Sequence, residues 1–572
     1  MSKRLLYVGS LVPLFFLQSL PAAASMPNCT VNAIAALNVP DVTVSSAVDV
    51  PATATVPEFC EVIGTVRTHG FGAPDGSAGF RVRLPVAWNG KFLFQGVGGL
   101  SGSFNSSTNG IDLALAMARG YATAITDTGH QSALGATDAS FGLKPDGTPD
   151  RAKVFDYYFR ATHEVTTASK QLVQAFFGSS IQRAYFDGCS NGGRQAMVEA
   201  SRFSNDYDGI IAGAPFMDMR SVLAGIGFQK RQLQSVDTYV PASKLAMIDQ
   251  AVYASCDAAD GVADGLIQNP AKCAFDAHTL VTPSCTQSDP TCLTADQADT
   301  VNAYFTALRD ERGRLVYPGS SVTDLSGAGG AALWSTGFVA PTDFAAKEPW
   351  GDSGFNPAPL SWQFVDHIIQ FLVERDPNFN VRDYGVNDGV VDDAALRLYV
   401  RRTELGDGDV PQFLSPFIAH DKKLIIYHGF SDPALPPFRT VKYYDDLERI
   451  VPGAFDRLQQ NVRLFMVPGM QHCAGGPGPN RFDTLTALEN WVEHGAAPDA
   501  IIATKFVGDN PANGVARTMP LCKFPEEARY NGAGNVNDAA NWTCSEQDRR
   551  MLEVGPNGER AGLGAPAHFA RP

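Results

Sequence analysis

No C-x-x-C pair occurs anywhere in the 572 residues, so zinc-ribbon and thioredoxin-type chemistry have no support. Cations are in deficit, with 45 Lys and Arg against 60 Asp and Glu and a net charge of −15, which excludes nucleic acid and anionic membrane as natural partners. No internal repeat is present. Beyond the N-terminus no apolar run is long enough to cross a bilayer. The remaining composition, 44% hydrophobic and 18% charged, is that of an ordinary globular chain, too long for one small core. A large domain with a big insertion, or two domains, is expected.

The apolar run that does exist lies at the start. Lys3 and Arg4 precede residues 5–20, and Ala22 and Ala24 offer small residues for cleavage, so residues 1–24 read as a secretory signal peptide. The run is short for a membrane anchor, and the mature chain is expected in the periplasm or outside the cell. Export bears on the ten cysteines, an even number, which in an oxidising compartment suggest five bridges whose connectivity spacing leaves open.

Strand patterns occur at Asp41-Val-Thr-Val-Ser-Ser-Ala-Val48, Cys60-Glu-Val-Ile-Gly-Thr-Val66 and Phe80-Arg-Val-Arg-Leu-Pro85. Lys91-Phe-Leu-Phe-Gln95 follows as a buried strand and ends in Gly96-Val-Gly-Gly99-Leu-Ser-Gly102. A strand running into glycines can aim backbone N–H groups into open space, as an oxyanion site requires, although a flexible loop explains these residues equally well. Residues 111–120 and 157–177 have helical periodicity, 122–126 and 209–215 read as strands, and the alternation predicts a mostly parallel α/β sheet covered on both faces. From about residue 216 to about 413 that rhythm stops, and four cysteines and Gly-rich loops take its place. This segment reads as an inserted domain over the sheet, dividing the core into residues 25–215 and 414–572. Strands return at Lys422-Lys-Leu-Ile-Ile-Tyr427 and Val462-Arg-Leu-Phe-Met-Val467, with helices expected at 441–447 and 482–492, and the tail from Gly555 is expected to be loosely ordered.

Chemistry centres on Arg183-Ala-Tyr-Phe-Asp-Gly-Cys-Ser-Asn-Gly-Gly-Arg194. Gly188-Cys-Ser190-Asn-Gly192 fits G-x-S-x-G, a sharp strand-to-helix turn that presents a serine hydroxyl, with strand residues before it and helical spacing of Ala196, Met197, Ala200 and Phe203 after. In α/β-hydrolases the base and its orienting acid follow in the order Ser, Asp or Glu, His. Asp432 stands in the loop after one late strand and His472 in the loop after the next. His428 reads better as a hydrogen-bonded structural histidine, His130 precedes the serine and is out of order for a base, and Asp187 faces away from the hydroxyl. Cys189 adjoins Ser190 and Cys473 adjoins His472, so a serine and imidazole in contact would bring the two cysteines within disulfide reach. In the inserted segment Asp257, Asp260 and Asp264 share a short turn with Gly261; closely spaced aspartates suit Ca²⁺, and an acidic solvated turn fits the spacing equally well.

On these residues the chain resembles the tannase and feruloyl esterase family, a branch of the α/β-hydrolases that also includes enzymes cleaving hydroxyethyl terephthalate monoesters. The resemblance runs from about Cys29 to Cys544 and is carried by Trp88-Asn-Gly90, Gly188-Cys-Ser-Asn-Gly-Gly193, Cys256-Asp-Ala-Ala-Asp-Gly261, Tyr427-His-Gly-Phe-Ser-Asp432 and Val467-Pro-Gly-Met-Gln-His-Cys-Ala-Gly-Gly-Pro477. It implies an α/β-hydrolase fold with a large inserted lid domain, Ser190 as nucleophile, His472 as general acid and base, and Asp432 as its orienter. It implies oxyanion donors at the N–H groups of Asn191 and Gly99, and calcium held by Asp257, Asp260, Asp264 and the carbonyls of Val262 and Leu266. It further implies the pairs Cys29–Cys60, Cys256–Cys273, Cys285–Cys292 and Cys522–Cys544 beside Cys189–Cys473, and no organic cofactor. The expected substrate is a small aromatic ester or a polymer bearing phenolic esters, with feruloyl, hydroxycinnamoyl and galloyl esters preferred. Between 337 and 364 Lys347 is the only cation, which leaves no evident arginine clamp for a terephthalate carboxylate, while Trp334, Phe338, Trp350, Phe355 and Trp362 could line an aromatic pocket.

Overall fold

Strand-forming runs from both ends of the chain join one nine-stranded sheet in the computed structural model, which describes residues 28–132, 135–326, 360–451, 455–545 and 552–564. The signal-peptide residues 1–24 lie outside the described residues, as do Trp334, Phe338, Lys347, Trp350 and Phe355. The first seven strands are β1 (Val42–Val50), β2 (Phe59–Thr68), β3 (Gly76–Pro85), β4 (Lys91–Gln95), β5 (Ala122–Thr126), β6 (Arg183–Cys189) and β7 (Gly209–Gly213). Four short strands follow, β8 (Leu308–Asp310), β9 (Leu315–Tyr317), β10 (Val386–Asn387) and β11 (Val390–Val391), and form a small sheet of their own. The main sheet resumes with β12 (Lys423–Gly429) and β13 (Val462–Val467), in the order β1-β2-β3-β5-β4-β6-β7-β12-β13. β1 to β3 form an antiparallel meander and β3 meets β5 antiparallel. From β5 across to β13 every pairing is parallel.

The period-2 alternation of side chains explains why the parallel strands read as unbroken apolar runs: both faces are covered. On β4, Phe92 and Phe94 face one core and Leu93 the other; on β6, Phe186 and Tyr185 divide the same way. Helix Ala161–Phe177 supplies Val165, Leu172, Val173 and Phe176 to the first core. Helix Thr484–His494 supplies Leu485, Leu488 and Trp491 to the second. The two cores clamp the parallel strands, so loops at their C-terminal ends stand on a rigid base.

Between β7 and β12, helices Ser221–Gln232 and Leu360–His367 pack together through Val222, Leu223, Ile226, Trp362 and Val365, and share a core with Leu100, Phe141 and Tyr158. A separate core gathers Val252, Cys256, Cys273, Phe275, Leu293 and Phe305. The tail differs from its expected loose order: within 552–564, Leu552, Ala561 and Leu563 are buried in the main core and Pro556–Arg560 is helical. Gly555 and Gly558 allow this, since a Cβ at either would meet Lys272 or Ala271 at about 3 Å. No helix among the described residues is long and apolar enough to cross a membrane.

Candidate functional site

Ser190 occupies the turn between β6 and helix Asn191–Arg202 with φ 63° and ψ −124°, a backbone region L-residues rarely adopt. Glycine flanks it for a steric reason: a Cβ on Gly188 would lie 2.7 Å from the carbonyl carbon of Gly192, and one on Gly192 would lie 2.2 Å from Ser107 Oγ. The strained turn is pinned by the Ser190 N–H donating to the Gly213 carbonyl at 3.0 Å.

His472, after β13, places Nε2 2.9 Å from Ser190 Oγ and Nδ1 2.7 Å from Oδ2 of Asp432, which follows β12. Because Asp432 can only accept when ionised, Nδ1 carries the proton and Nε2 is the basic nitrogen facing the hydroxyl. Asp432 Oδ1 accepts from the N–H groups of Ala434 and Leu435 at 2.8 and 3.0 Å. Burial pushes the Asp432 carboxyl up, yet the charge of His472 and hydrogen bonds from His428 and His472 outweigh it and hold the group well below the usual carboxylate range.

His428 is more closely involved than a structural histidine need be. Its Nε2 lies 3.1 Å from Asp432 Oδ2 and 3.0 Å from the Leu435 carbonyl, two acceptors, so Nε2 bears the hydrogen. Nδ1 accepts from the Thr440 hydroxyl at 2.7 Å. His130 stands apart, stacked on Phe141 at 3.9 Å and kept neutral by burial that lowers its pKa to about 4. Asp187 is fully buried and makes no side-chain hydrogen bond, while burial and the nearby Asp112 push its carboxyl well up.

Gly99 and Asn191 line the same cavity as Ser190 and His472. Among the described residues neither of their N–H groups donates to a protein acceptor. Gly99 has φ 60°, and a Cβ there would fall 2.5 Å from the Ala136 carbonyl oxygen. A network that sequence reasoning missed ties the start of the elbow helix to the Gly-rich loop two residues before Gly99. Asn191 Nδ2 donates to the Val97 carbonyl at 3.0 Å, and the Val97 N–H donates to Gln195 Oε1 at 2.9 Å. Asn191 Oδ1 accepts from Arg194 Nε at 2.9 Å and from Tyr157 OH at 3.1 Å. Buried Arg194 also donates to the carbonyls of Tyr157, Tyr158 and Gly406. The available signal was Asn191, Arg194 and Gln195 at i, i+3 and i+4 on the first turns of the helix. The cavity measures about 90 Å³ and is walled by Leu100, Phe216, Val222, Phe364, Val365, Ile368 and Leu435, with no lysine or arginine among its described lining residues. Trp362 is packed in the core behind it.

The five disulfides pair as Cys29–Cys60, Cys189–Cys473, Cys256–Cys273, Cys285–Cys292 and Cys522–Cys544. Cys189–Cys473, with Cα atoms 6.0 Å apart, ties the serine turn to the histidine loop. In the acidic turn, Asp257 accepts from the Asp264 and Gly265 N–H groups, and Asp260 from those of Val262 and Gln268. Asp264 Oδ2 is buried without a hydrogen bond, 3.3 Å from Arg517 Nη1. Burial, reinforced by the charges of Asp264 and Asp257, raises the Asp260 carboxyl to about 6. Three carboxylates with one arginine beside them leave a net negative oxygen set, a donor chemistry that suits a hard cation. The three carboxylates do not all come within 4.8 Å of one another. Leu266 of this turn abuts Gly469 in the loop that carries His472.

The model of the family described as tannase and feruloyl esterase matches residues 60–545. An uncharacterised esterase of Xanthomonas campestris is 34% identical, with 91% of this chain and 92% of that protein covered. Mono(2-hydroxyethyl) terephthalate hydrolase of Piscinibacter sakaiensis is 32% identical over 86% of each chain. The crystal structure of feruloyl esterase B from Aspergillus oryzae superposes with a TM-score of 0.73 at 25% identity, covering 89% of this chain and 98% of that one. The chain therefore belongs to the tannase and feruloyl esterase family and is a carboxylic ester hydrolase on an α/β-hydrolase fold.

Proposed function

We propose that the protein is an exported serine esterase that hydrolyses esters of aromatic acids, above all phenolic acids such as hydroxycinnamates and gallate. The observation that carries this reading is the continuous chain Ser190–His472–Asp432, opening on an apolar cavity that Gly99 and Asn191 also line. Ser190 Oγ attacks the ester carbonyl while His472 Nε2 takes its proton. The tetrahedral oxyanion accepts from the two N–H groups, whose segments are tied together by the Asn191–Val97 bond. Asp432 stabilises the imidazolium, and His472 returns the proton to the departing alcohol. Water then attacks the acyl-enzyme by the same route. The apolar walls suit a flat aryl acyl group, and the lack of a cation among the described lining residues favours a neutral phenolic ring over a terephthalate carboxylate.

Calcium would be held by Asp257, Asp260 and Asp264 with the Val262 and Leu266 carbonyls, where it would neutralise the turn that supports the histidine loop. Export is supported by the charged and apolar N-terminus and by five disulfides, which persist in oxidising compartments. The test is hydrolysis of methyl ferulate, methyl gallate, mono(2-hydroxyethyl) terephthalate and p-nitrophenyl butyrate, side by side, by the mature protein and by Ser190→Ala. Turnover led by one phenolic ester and lost in the variant is expected. Turnover led by the terephthalate monoester, in line with the 32% identical relative, would replace the phenolic reading. Activity on the butyrate ester alone would end the aromatic one.

A further inference from the structure

Away from the serine, three side chains converge where the helix carrying the elbow meets helix Ala161–Phe177. One oxygen of Glu199, one of Asp206 and a ring nitrogen of His163 all lie within 4.8 Å of one another. Glu199 is completely buried, and neither of its carboxylate oxygens has a hydrogen-bond partner. Burial first, then the charge of Asp206, push its carboxyl well up. An orphaned buried carboxylate facing a second carboxylate is costly unless a proton or a cation stands between them. Lys170 is the nearby cation, but its ammonium donates to the Asp206 carbonyl and lies 4.8 Å over the Tyr207 ring. Its pull on Glu199 is weaker than the effect of burial.

We propose that His163, Glu199 and Asp206 form a binding site for a zinc-class divalent cation, distinct from the acidic turn and independent of the esterase reading. One imidazole nitrogen with two carboxylates is a donor set for Zn²⁺, whereas calcium takes oxygen ligands. Two carboxylates and neutral His163 balance the ion's charge. His163 Nδ1 and Asp206 Oδ2 are 2.6 Å apart, a hydrogen bond that metal binding replaces. Ligands about 2.0–2.1 Å from a tetrahedral ion sit farther apart than this, so the imidazole must retreat by less than about 1 Å. It has room to do so, since the His163 and Asp206 side chains are 25% and 17% exposed, which also gives the ion a path in and water the fourth position. His163 is oriented by stacking on Phe203 at 3.9 Å with the rings 8° from parallel. A bound ion would tie the elbow helix to helix Ala161–Phe177. The cluster Cys29, Asp49 and Cys60 offers no such site, because its two sulfurs are joined as a disulfide.

The experiment uses the tag-free mature protein, stripped with chelator and then saturated with CaCl₂ so that the acidic turn does not compete. It is titrated with ZnCl₂ by calorimetry, with Tm followed in parallel. Uptake of one equivalent and a rise in Tm are expected, with both lost in Glu199→Gln and in His163→Phe, which keeps the stack on Phe203. Circular dichroism and ester hydrolysis report whether each variant is folded, and either folded variant suffices. No uptake by the wild-type protein, or uptake unchanged in a folded variant, would overturn the proposal and leave a proton shared between Glu199 and Asp206.

Discussion

The serine–histidine junction and the turn 257–266 both hold carboxylates that burial disfavours, and they resolve the conflict differently. Asp432 receives two backbone N–H groups and two histidines, so every acceptor direction is filled by the chain itself and the carboxylate stays ionised. Asp260 and Asp264 receive backbone N–H groups of their own neighbourhood, and the Asp260 carboxyl is raised to about 6 by burial and by its neighbours' charge. The first region is complete as folded; for the second we propose that a cation finishes it. A site whose protonation must not drift during turnover is wired internally, while a turn that only supports it can depend on an ion.

The largest effect should come from breaking the first region at its reacting atom. Ser190→Ala is expected to lower kcat by about 10⁶-fold, measured on whichever ester leads the panel. Asp432→Asn keeps the shape but offers His472 the wrong hydrogen-bond partner, and a loss of about 10⁴-fold in kcat is expected. A fall under tenfold would show that His472 keeps its working tautomer and orientation without this carboxylate.

Replacing Cys189 and Cys473 together by alanine tests whether the junction needs its tether. The bridge spans 284 residues of sequence, and urea unfolding should show a loss of about 2–5 kcal/mol. In the acidic turn, calcium at roughly a hundred times its Kd should add about 2.7 kcal/mol to stability. Chelator should therefore lower Tm and added calcium restore it, and Asp260→Asn should remove the response. Calcium without effect on the wild-type Tm would make the turn an ordinary acidic loop. The smallest effect is on acid stability. The Asp432 pKa is lowered in the folded state, so its stabilisation is complete above the unfolded carboxyl value of about 3.9 and is lost as pH falls below it. Wild-type protein should lose stability below pH ~4 more steeply than Asp432→Asn, measured by urea midpoints between pH 3 and 6.

What could be read from the sequence is what is local or fixed by chain order. G-x-S-x-G needs glycine where Gly188 and Gly192 nearly touch, and the acid and base follow late strands because the sheet places them there. The Cys189–Cys473 bridge follows from the adjacency of each cysteine to a residue of the expected Ser190–His472 contact. Tertiary contacts between distant segments were not legible: the Asn191–Val97 bond, the approach of His428 to Asp432, and the meeting of His163 with Glu199 leave no spacing in the chain. Residues 555–564 depart from expectation because their Gly and Pro content suggests loose order, while Ala561 and Leu563 bury against the main core. Element ends shifted for a related reason: the helix expected at 441–447 runs Phe438–Ile450, its added turns packed through Phe438.

The central claim is that Ser190 carries the acyl group. Rapid quench of the mature protein with methyl ferulate or methyl gallate, followed by mass spectrometry of the peptide containing Ser190, tests it directly. The account predicts a mass increase equal to the aryl-acyl group on Ser190, absent in Ser190→Ala. Turnover of the ester with the acyl group on another residue, or undiminished in Ser190→Ala, would contradict it.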